Sequence, residues 1–414
     1  MMAVESATGN TQSDSRDLCG SRVTILRGVP IEHDKRTRQI ARLLSNAGVD
    51  VQVIAPGKAS GTALVEPHGY RVDTVGWLPA SHHRIWALRV SSNIIRNQIR
   101  RATWSLHVIR RAREFHPQVV HCMNVDTLLL GFLCVGRGRY IYDSREHWAT
   151  TGTVPKRVRL WWLLKERLLI PRAAAVATVT DMIADALKEE HKIARPTVLI
   201  NGSVKAMSEP TEPHEPLRLI HQGKFYRDRH LEDLIEAVLR HRGRAVLALQ
   251  GWGEAEDDIR AFISARGAED VVRIVPPVPL EEAVVSASAH DVGLIDVWPD
   301  SMSHRWAGSN KLFDYMGAGL AMVVTNLDFT RQVVEAAGCG MVVDPPTVDA
   351  FADAIGWLVQ NPGEVARMKR NAVAAAPRYT WDGQAEVLYG LYRVALGKRS
   401  DPGIGSRSSD VSSI

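Results

Sequence analysis

The sequence has no CxxC pair, and its four cysteines, Cys19, Cys122, Cys134 and Cys339, stand far apart. That spacing points to neither a zinc site nor a disulfide framework, so reduced structural thiols are expected, as in cytoplasm. An apolar signal core is also missing, because the opening MMAVESATGNTQSDSRD is polar. No uninterrupted apolar run approaches the ~20 residues that span a bilayer. A cytoplasmic protein is therefore expected, at most peripheral at the inner face of a membrane. Charge of one sign is scarce too: 51 Lys and Arg face 46 Asp and Glu, a formal net charge of +5. A nucleic-acid binder carries a larger and more concentrated excess, so no nucleic-acid partner is expected.

The 414 residues, 45% apolar and 23% charged, have the balance of a soluble globular protein. They are too many for one core and suit two domains of roughly 150–200 residues each. Strand-like RVTILRG (22–28) is followed by helical DKRTRQIARLLSNAG, with Ile40, Leu43 and Leu44 at helical spacing and Gly48 as its cap, then by strand-like VDVQVIAPG (49–57). This is a βαβ unit with a parallel sheet. The alternation runs on through QVVHCM (118–123), RYIYDS (139–144), VATVT (176–180) and TVLING (197–202). SEPTEPHEP (208–216) has three prolines in nine positions and reads as a linker. The rhythm restarts with LRLIHQGK and continues through AVLALQGWG, RIVPPV, DVGLIDV, AMVVTN and GMVVDP. Two α/β lobes with a cleft between them are expected, lined by the loops that follow the strands. Residues 1–20 and 398–414, rich in Ser, Gly and Asp, are expected to be disordered.

Two stretches break the pattern. Residues 84–113 carry many arginines and no acid, interleaved with Ile, Leu and Trp, and PKRVRLWWLLKERLLIPR (155–172) is similar. Either the apolar stripe of each packs on its own sheet, or the stretch lies against an anionic membrane surface.

SNKLFDYMGAGLAMVVTN (309–326) is the most specific segment. A polar turn, Ser309-Asn310-Lys311-Leu312, enters a helix whose free N–H groups and adjacent lysine suit a diphosphate. Asp314, one turn in, can accept hydrogen bonds from ribose hydroxyls. The segment resembles the (P)NKLFEYMAAG-PVV stretch of family 4 glycosyltransferases, which are retaining enzymes of the GT-B fold. Other segments agree in order: HDKRTRQIARLLSNAGVDVQVIA (33–55), VVHCMNVDTLLLG (119–131) with YIYDSREHW (140–148), HQGKFYRDRHLEDLIEA (221–237) and TWDGQAEVLYGLY (380–392). The likeness covers residues 22 to 397.

The resemblance implies an α/β GT-B protein, two Rossmann-like parallel-sheet domains facing across a cleft. An acceptor-binding domain would span 21–207 and, beyond the 208–216 linker, a nucleotide-sugar-binding domain 217–379. A helix in 380–397 would cross back to the first. Donor contacts are expected at Lys224, Arg229, Gly251, Gly253, Ser309, Asn310, Lys311, Leu312 and Asp314, with Lys224 and Arg229 on the diphosphate. Gly251 and Gly253, a lone Gly-x-Gly after a strand, equally suit a tight turn. Acceptor contacts are expected at Arg36, His121, Asp126, Arg145 and Glu146, and catalytic roles at Arg145, His121, Lys224 and Arg229. For His121 a buried, satisfied side chain is an equal reading, and Asp126 equally caps a helix. Three positions depart from the family pattern. Trp306 falls where the first of two glutamates eight apart stands, and Arg145 replaces the histidine of YDSHE. The first loop reads Arg27-Gly28-Val29-Pro30 instead of carrying a glycine pair.

No Asp-x-Asp cluster ends a strand, so metal-independent transfer is expected, with neither metal nor cofactor. The expected reaction moves a hexose or N-acetylhexosamine from a nucleotide-diphosphate sugar, UDP by family frequency, to a cell-envelope, lipid-linked or natural-product acceptor. The alternatives are a nucleotide-sugar epimerase or sugar phosphorylase on the same fold, or a non-catalytic basic module for polyanions or membranes. A nicotinamide enzyme is disfavoured, because no GxGxxG follows the first strand of either lobe.

Overall fold

The computed structural model describes residues 15–57, 63–65, 69–76, 93–151, 154–227, 230–298, 301–306 and 308–398. Arg229, residues 84–92 of the first basic stretch, and most of the two expected disordered ends lie outside these.

Two sheets organise the chain. The first has the order β3-β4-β2-β1-β5-β6-β7-β8. Its strands are β1 (Arg22–Arg27), β2 (Asp50–Gly57), β3 (Ala63–Val65), β4 (Arg71–Gly76), β5 (Val119–Met123), β6 (Tyr140–Ser144), β7 (Ala175–Thr178) and β8 (Thr197–Val198). All pair in parallel except β3, which runs antiparallel to β4 at the edge. Helices α1 (Lys35–Asn46), α2 (Asn93–Phe115), α3 (Val125–Val135), α4 (Lys156–Leu169) and α5 (Asp181–His191) make the connections. The second sheet, order β11-β10-β9-β12-β13-β14, is wholly parallel. It comprises β9 (Leu217–Lys224), β10 (Ala245–Trp252), β11 (Val272–Val275), β12 (Val292–Ile295), β13 (Ala321–Thr325) and β14 (Gly340–Val343). Around it lie α6 (Leu231–Leu239), α7 (Glu256–Ala265), α8 (Ala283–Ala287), α9 (Met302–Trp306), α10 (Asn310–Gly317), α11 (Asp328–Ala337), α12 (Val348–Gln360) and α13 (Pro362–Ala375).

The central strands are buried on both faces, which is why they read as continuous apolar runs. In α1, Asp34 caps the N-terminus by accepting from the Thr37 N–H at 3.2 Å, and Gly48 leaves the helix at φ +77°. Its inward Ile40, Leu43 and Leu44 enter a core shared with α14 (Ala385–Ala395), whose Leu388, Leu391 and Tyr392 pack there too. The chain therefore returns to the first lobe, as expected. The N-terminal expectation needs a correction at its edge. Leu18 is fully buried in that core, and Asp17 pairs with Arg393 at 2.9 Å, so order begins before residue 21.

Each sheet reverses direction of winding beside its first strand, between β1 and β5 and between β9 and β12. Open α/β sheets bind ligands outside the carboxyl ends of their strands at such switch points. In this chain those ends are Arg27-Gly28 in one lobe, and Lys224 with Asp296 in the other.

Candidate active site

On the second lobe, the end of β9, the residues after β12 and the start of α10 enclose a cavity of about 120 Å³. His221, Gly223, Lys224, Tyr226, Val297, Ser309 and Lys311 line it. Lys224 is exposed and its ammonium sits 4.5 Å from the centre of the Tyr226 ring. Behind it is a charged cluster. Lys311 Nζ lies 2.6 Å from His221 Nε2 and 3.4 Å from Asp296 Oδ1, and His221 Nε2 is 2.9 Å from that oxygen. Burial alone would raise the Asp296 carboxyl, but His221 and Lys311 outweigh it and hold it far below the usual carboxylate range. The first N–H groups of a helix have no partner within it. The cavity is thus faced by two ammonium groups and the positive end of α10, a setting for a dianionic ligand. Tyr315 fixes the angle of α10: it accepts from the Gln222 N–H at 2.8 Å, and its ring lies against Gly293, where a Cβ would come within 2.2 Å.

Asp314 stands one turn along α10, on the cleft side, but its carboxylate is engaged. Lys35 Nζ, from α1 of the other lobe, donates to both oxygens at 2.8 and 2.9 Å. Two further contacts cross the cleft: Arg38 pairs with Glu281 at 2.8 Å, and the rings of Trp306 and His147 are 5.3 Å apart.

The first-lobe wall is built at the ends of β1, β5 and β6. Asp34 bridges two guanidinium groups, accepting from Arg145 at 3.1 Å while contacting Arg27 Nε. Burial pushes the Asp34 carboxyl up, yet Arg145 and Arg27 together bring it below its ordinary value. Asp126 is exposed, beginning α3 with its carboxylate over Gly28, where a Cβ would fall 1.6 Å from Oδ2. Enough protein surrounds Asp126 and Glu146 that desolvation raises both carboxyls, partly offset by Arg27 at Asp126 and by Arg145 and then His304 at Glu146. His304 Nδ1 is buried without a hydrogen-bond partner among the described residues. Glu146 and His304, one from each lobe, are thus electrostatic neighbours.

Several expected site residues have other tasks. Arg36 is 1% exposed. It forms a bidentate pair with Asp143 at 2.7 and 2.9 Å, donates to Leu199 O at 2.7 Å and lies over the Trp381 ring. His121 is 0% exposed, with Nδ1 2.6 Å from Tyr392 Oη and Nε2 3.4 Å from Asp143. Neither can touch an acceptor in this arrangement, so the acceptor reading of both and the catalytic reading of His121 are corrected. They tie β5 and β6 to α1 and α14. Leu312 is corrected likewise: its side chain is fully buried and its N–H donates to Ser309 O at 3.1 Å. Gly251 and Gly253 serve close backbone approach, since a Cβ on the first would lie 1.8 Å from Gly223 O and on the second 2.1 Å from Phe225 O. Lys224, Ser309, Asn310, Lys311 and Asp314 stand together on the second lobe, and Asp126, Arg145 and Glu146 on the facing wall.

Sequence reading missed Asp34, Lys35, His221 and Asp296. For Asp296 a signal existed, a carboxylate directly after the apolar strand VGLI. Nothing local marks Lys35, whose partner is 279 positions away. Among the described residues no group of three or more His, Cys, Asp or Glu could hold a metal ion, and no helix is long and apolar enough to cross a membrane.

Comparison with known proteins agrees with this architecture. The family profile described as glycosyl transferase 4-like domain matches residues 33–202, and that of glycosyl transferases group 1 matches residues 205–374. A D-inositol 3-phosphate glycosyltransferase of Acidothermus cellulolyticus is 30% identical over 141 residues, 34% of this chain and 30% of the relative. The alpha-D-kanosaminyltransferase of Streptomyces kanamyceticus is 24% identical over 257 residues, 55% of this chain and 62% of the relative. The chain thus spans less than two thirds of the length of either. Among solved structures, Anabaena HepE in complex with UDP and glucose superposes with a TM-score of 0.66 at 15% identity, over 92% of this chain and 100% of that one, a likeness of fold. With both lobes accounted for in order by the two profiles, the chain belongs to the family 4, group 1 glycosyltransferases of the GT-B fold.

Proposed function

We propose that the chain transfers a hexosyl or N-acetylhexosaminyl group, with retention, from UDP-sugar to a hydroxyl of a cell-envelope, lipid-linked or natural-product acceptor. The observation that carries the reading is the convergence of Lys224, Lys311 and the start of α10 on one small cavity, a helical turn from Asp314. In sugar transfer the anomeric carbon becomes cationic while a diphosphate leaves, and fixed cations stabilise the leaving charge most effectively when already in place. The His221–Asp296 pair holds Lys311 at that position before any ligand arrives. Lys224 and the backbone of Ser309 and Asn310 complete the diphosphate seat, and Asp314 takes the ribose hydroxyls in place of Lys35.

Across the cleft, Arg145 is fixed by Asp34, and Asp126 and Glu146 offer acceptors for the hydroxyls of a polyol. The planar guanidinium of Arg145 presents its N–H donors in a fixed fork suited to stabilising an oxyanion. The departing phosphate takes the acceptor proton on the same face, so no protein base is required. The kanosaminyl and inositol 3-phosphate relatives, and HepE with its UDP and glucose, support a nucleotide-sugar donor and a hydroxyl acceptor.

Thermal shift tests the donor site, because a ligand that binds only the native state raises the midpoint by mass action. UDP is expected to raise it for wild type, and much less for Lys224→Ala and Asp314→Ala. If no nucleotide shifts wild type, or both variants respond as wild type does, the reading fails. Acceptor-dependent release of UDP then separates transfer from epimerisation.

A further inference from the structure

The two basic, tryptophan-bearing stretches part company in three dimensions. In α2, Trp104 turns inward and donates its Nε1–H to Val75 O at 3.2 Å. In α4 the reverse holds. Leu160 is 70% exposed, Trp161 53% and Leu168 50%, and Val158 and Leu164 are exposed beside them. At spacings of three and four residues these five side chains form one stripe along the helix. Its opposite face is anchored: Lys165 donates to Val125 O at 3.0 Å, Tyr142 donates to Glu166 at 2.5 Å, and the Trp162 ring meets Trp148 edge-on at 4.6 Å. The orientation of α4 is therefore fixed, and the outward stripe is not a helix awaiting its own core.

Charge selects the occupant. Glu166 is the only acid in α4 and it is buried. Lys156, Arg157, Arg167 and the following Arg172 are all exposed, so the outer side of α4 itself contributes cations and apolar groups and no carboxylate. We propose that this face of α4 lies flat on an anionic membrane surface, with Leu160, Trp161, Leu164 and Leu168 entering the headgroup boundary and the basic residues pairing with lipid phosphates. Basic residues flanking leucines and a tryptophan on one exposed helix side are the composition of a helix that lies in an anionic lipid interface. The surface stands apart from the transferase reading. It adds one consequence that rests on that reading: the Lys165–Val125 bond joins α4 to the start of α3, so membrane contact would bring the Asp126 wall close to lipid-borne acceptors.

Sedimentation of the whole chain with vesicles tests this, comparing phosphatidylcholine alone with an equal mixture of phosphatidylcholine and phosphatidylglycerol. Wild type is expected to sediment with the anionic vesicles, and less as salt rises. Leu160→Ser/Trp161→Ser/Leu168→Ser should lower the partition coefficient at least tenfold. Arg157→Glu/Arg167→Glu should lower it by about fivefold or more per residue. All these positions are exposed and outside the nucleotide site, so the UDP thermal shift of each variant should match wild type, which establishes that the fold is intact. Vesicle binding by a wild type that ignores nucleotides would leave the surface standing and the transferase reading lost. The proposal is overturned if wild type does not sediment with anionic vesicles at low salt, or binds neutral ones equally, or if the serine variant binds as wild type. It is also overturned if wild type is a dimer in sedimentation equilibrium that the serine variant dissociates, for then a second copy covers α4.

Discussion

Glu166 is a carboxyl kept inside the first lobe, 2% exposed and accepting from Tyr142 Oη at 2.5 Å. Desolvation pushes it up to about 7 from an ordinary 4.5, against the opposing pull of Tyr142 and His147. Because the folded-state value is raised, its contribution to stability is full below about 4.5 and is lost as pH climbs through about 7. In the glutamine variant the side chain stays neutral and can still accept from Tyr142. Glu166→Gln should therefore match wild type near pH 4.5 and become more stable by about 3 kcal/mol above pH 7. Urea unfolding across that window checks it, and a difference independent of pH would refute it. Other residues resist sequence reading for the same reason, that burial decides their chemistry. Arg36 and His121 carry motif positions that read as ligand contacts, yet Asp143 and Tyr392 claim their polar atoms inside the core.

At the scale of elements, the seat for the diphosphate depends on β9 and β10 running close together at their carboxyl ends. A Cβ at Gly251 would meet Gly223 O at 1.8 Å and the Phe225 ring at 3.1 Å, so the strands would have to part beside Lys224. Gly251→Ala is expected to cost about 3 kcal/mol and to blunt the UDP shift. Gly390, in α14 with nothing near its missing Cβ, is the control: Gly390→Ala should be neutral or stabilising by up to ~1 kcal/mol. Equal effects at the two positions would sink the argument. The sequence made these elements legible, since β-branched runs ending in glycine or charge alternate with helical periods throughout. It could not tell α2 from α4, which share composition, because only the neighbours of a helix determine which side is covered.

Across the whole molecule, the cleft is held by Lys35–Asp314, Arg38–Glu281 and the Trp306–His147 contact. Asp314 therefore has two claimants, Lys35 from the facing lobe and, in the proposed reaction, the donor ribose. Lys35→Ala removes the competitor and should tighten UDP binding several-fold, while Asp314→Asn should weaken it about tenfold, the worth of a hydrogen bond to a charged group. Calorimetric titration distinguishes the two, and weaker binding in Lys35→Ala would mean that the bridge supports the site instead of competing for it. The sequence by itself determined the two α/β lobes, their order, the return of the last helix, and the Ser309–Asp314 turn with Lys224. The lobes and the turn are written in local periodicity and in short motifs whose backbone geometry is self-contained, whereas the return of the last helix and the place of Lys224 followed from the family resemblance. Tertiary structure alone decided that Asp314 pairs with Lys35, that His221 and Asp296 stand behind Lys311, that Arg36 and His121 are buried, and that α4 turns its leucines outward. Each depends on residues distant in the chain meeting within hydrogen-bonding or packing range, and no spacing along a single strand or helix encodes such a meeting.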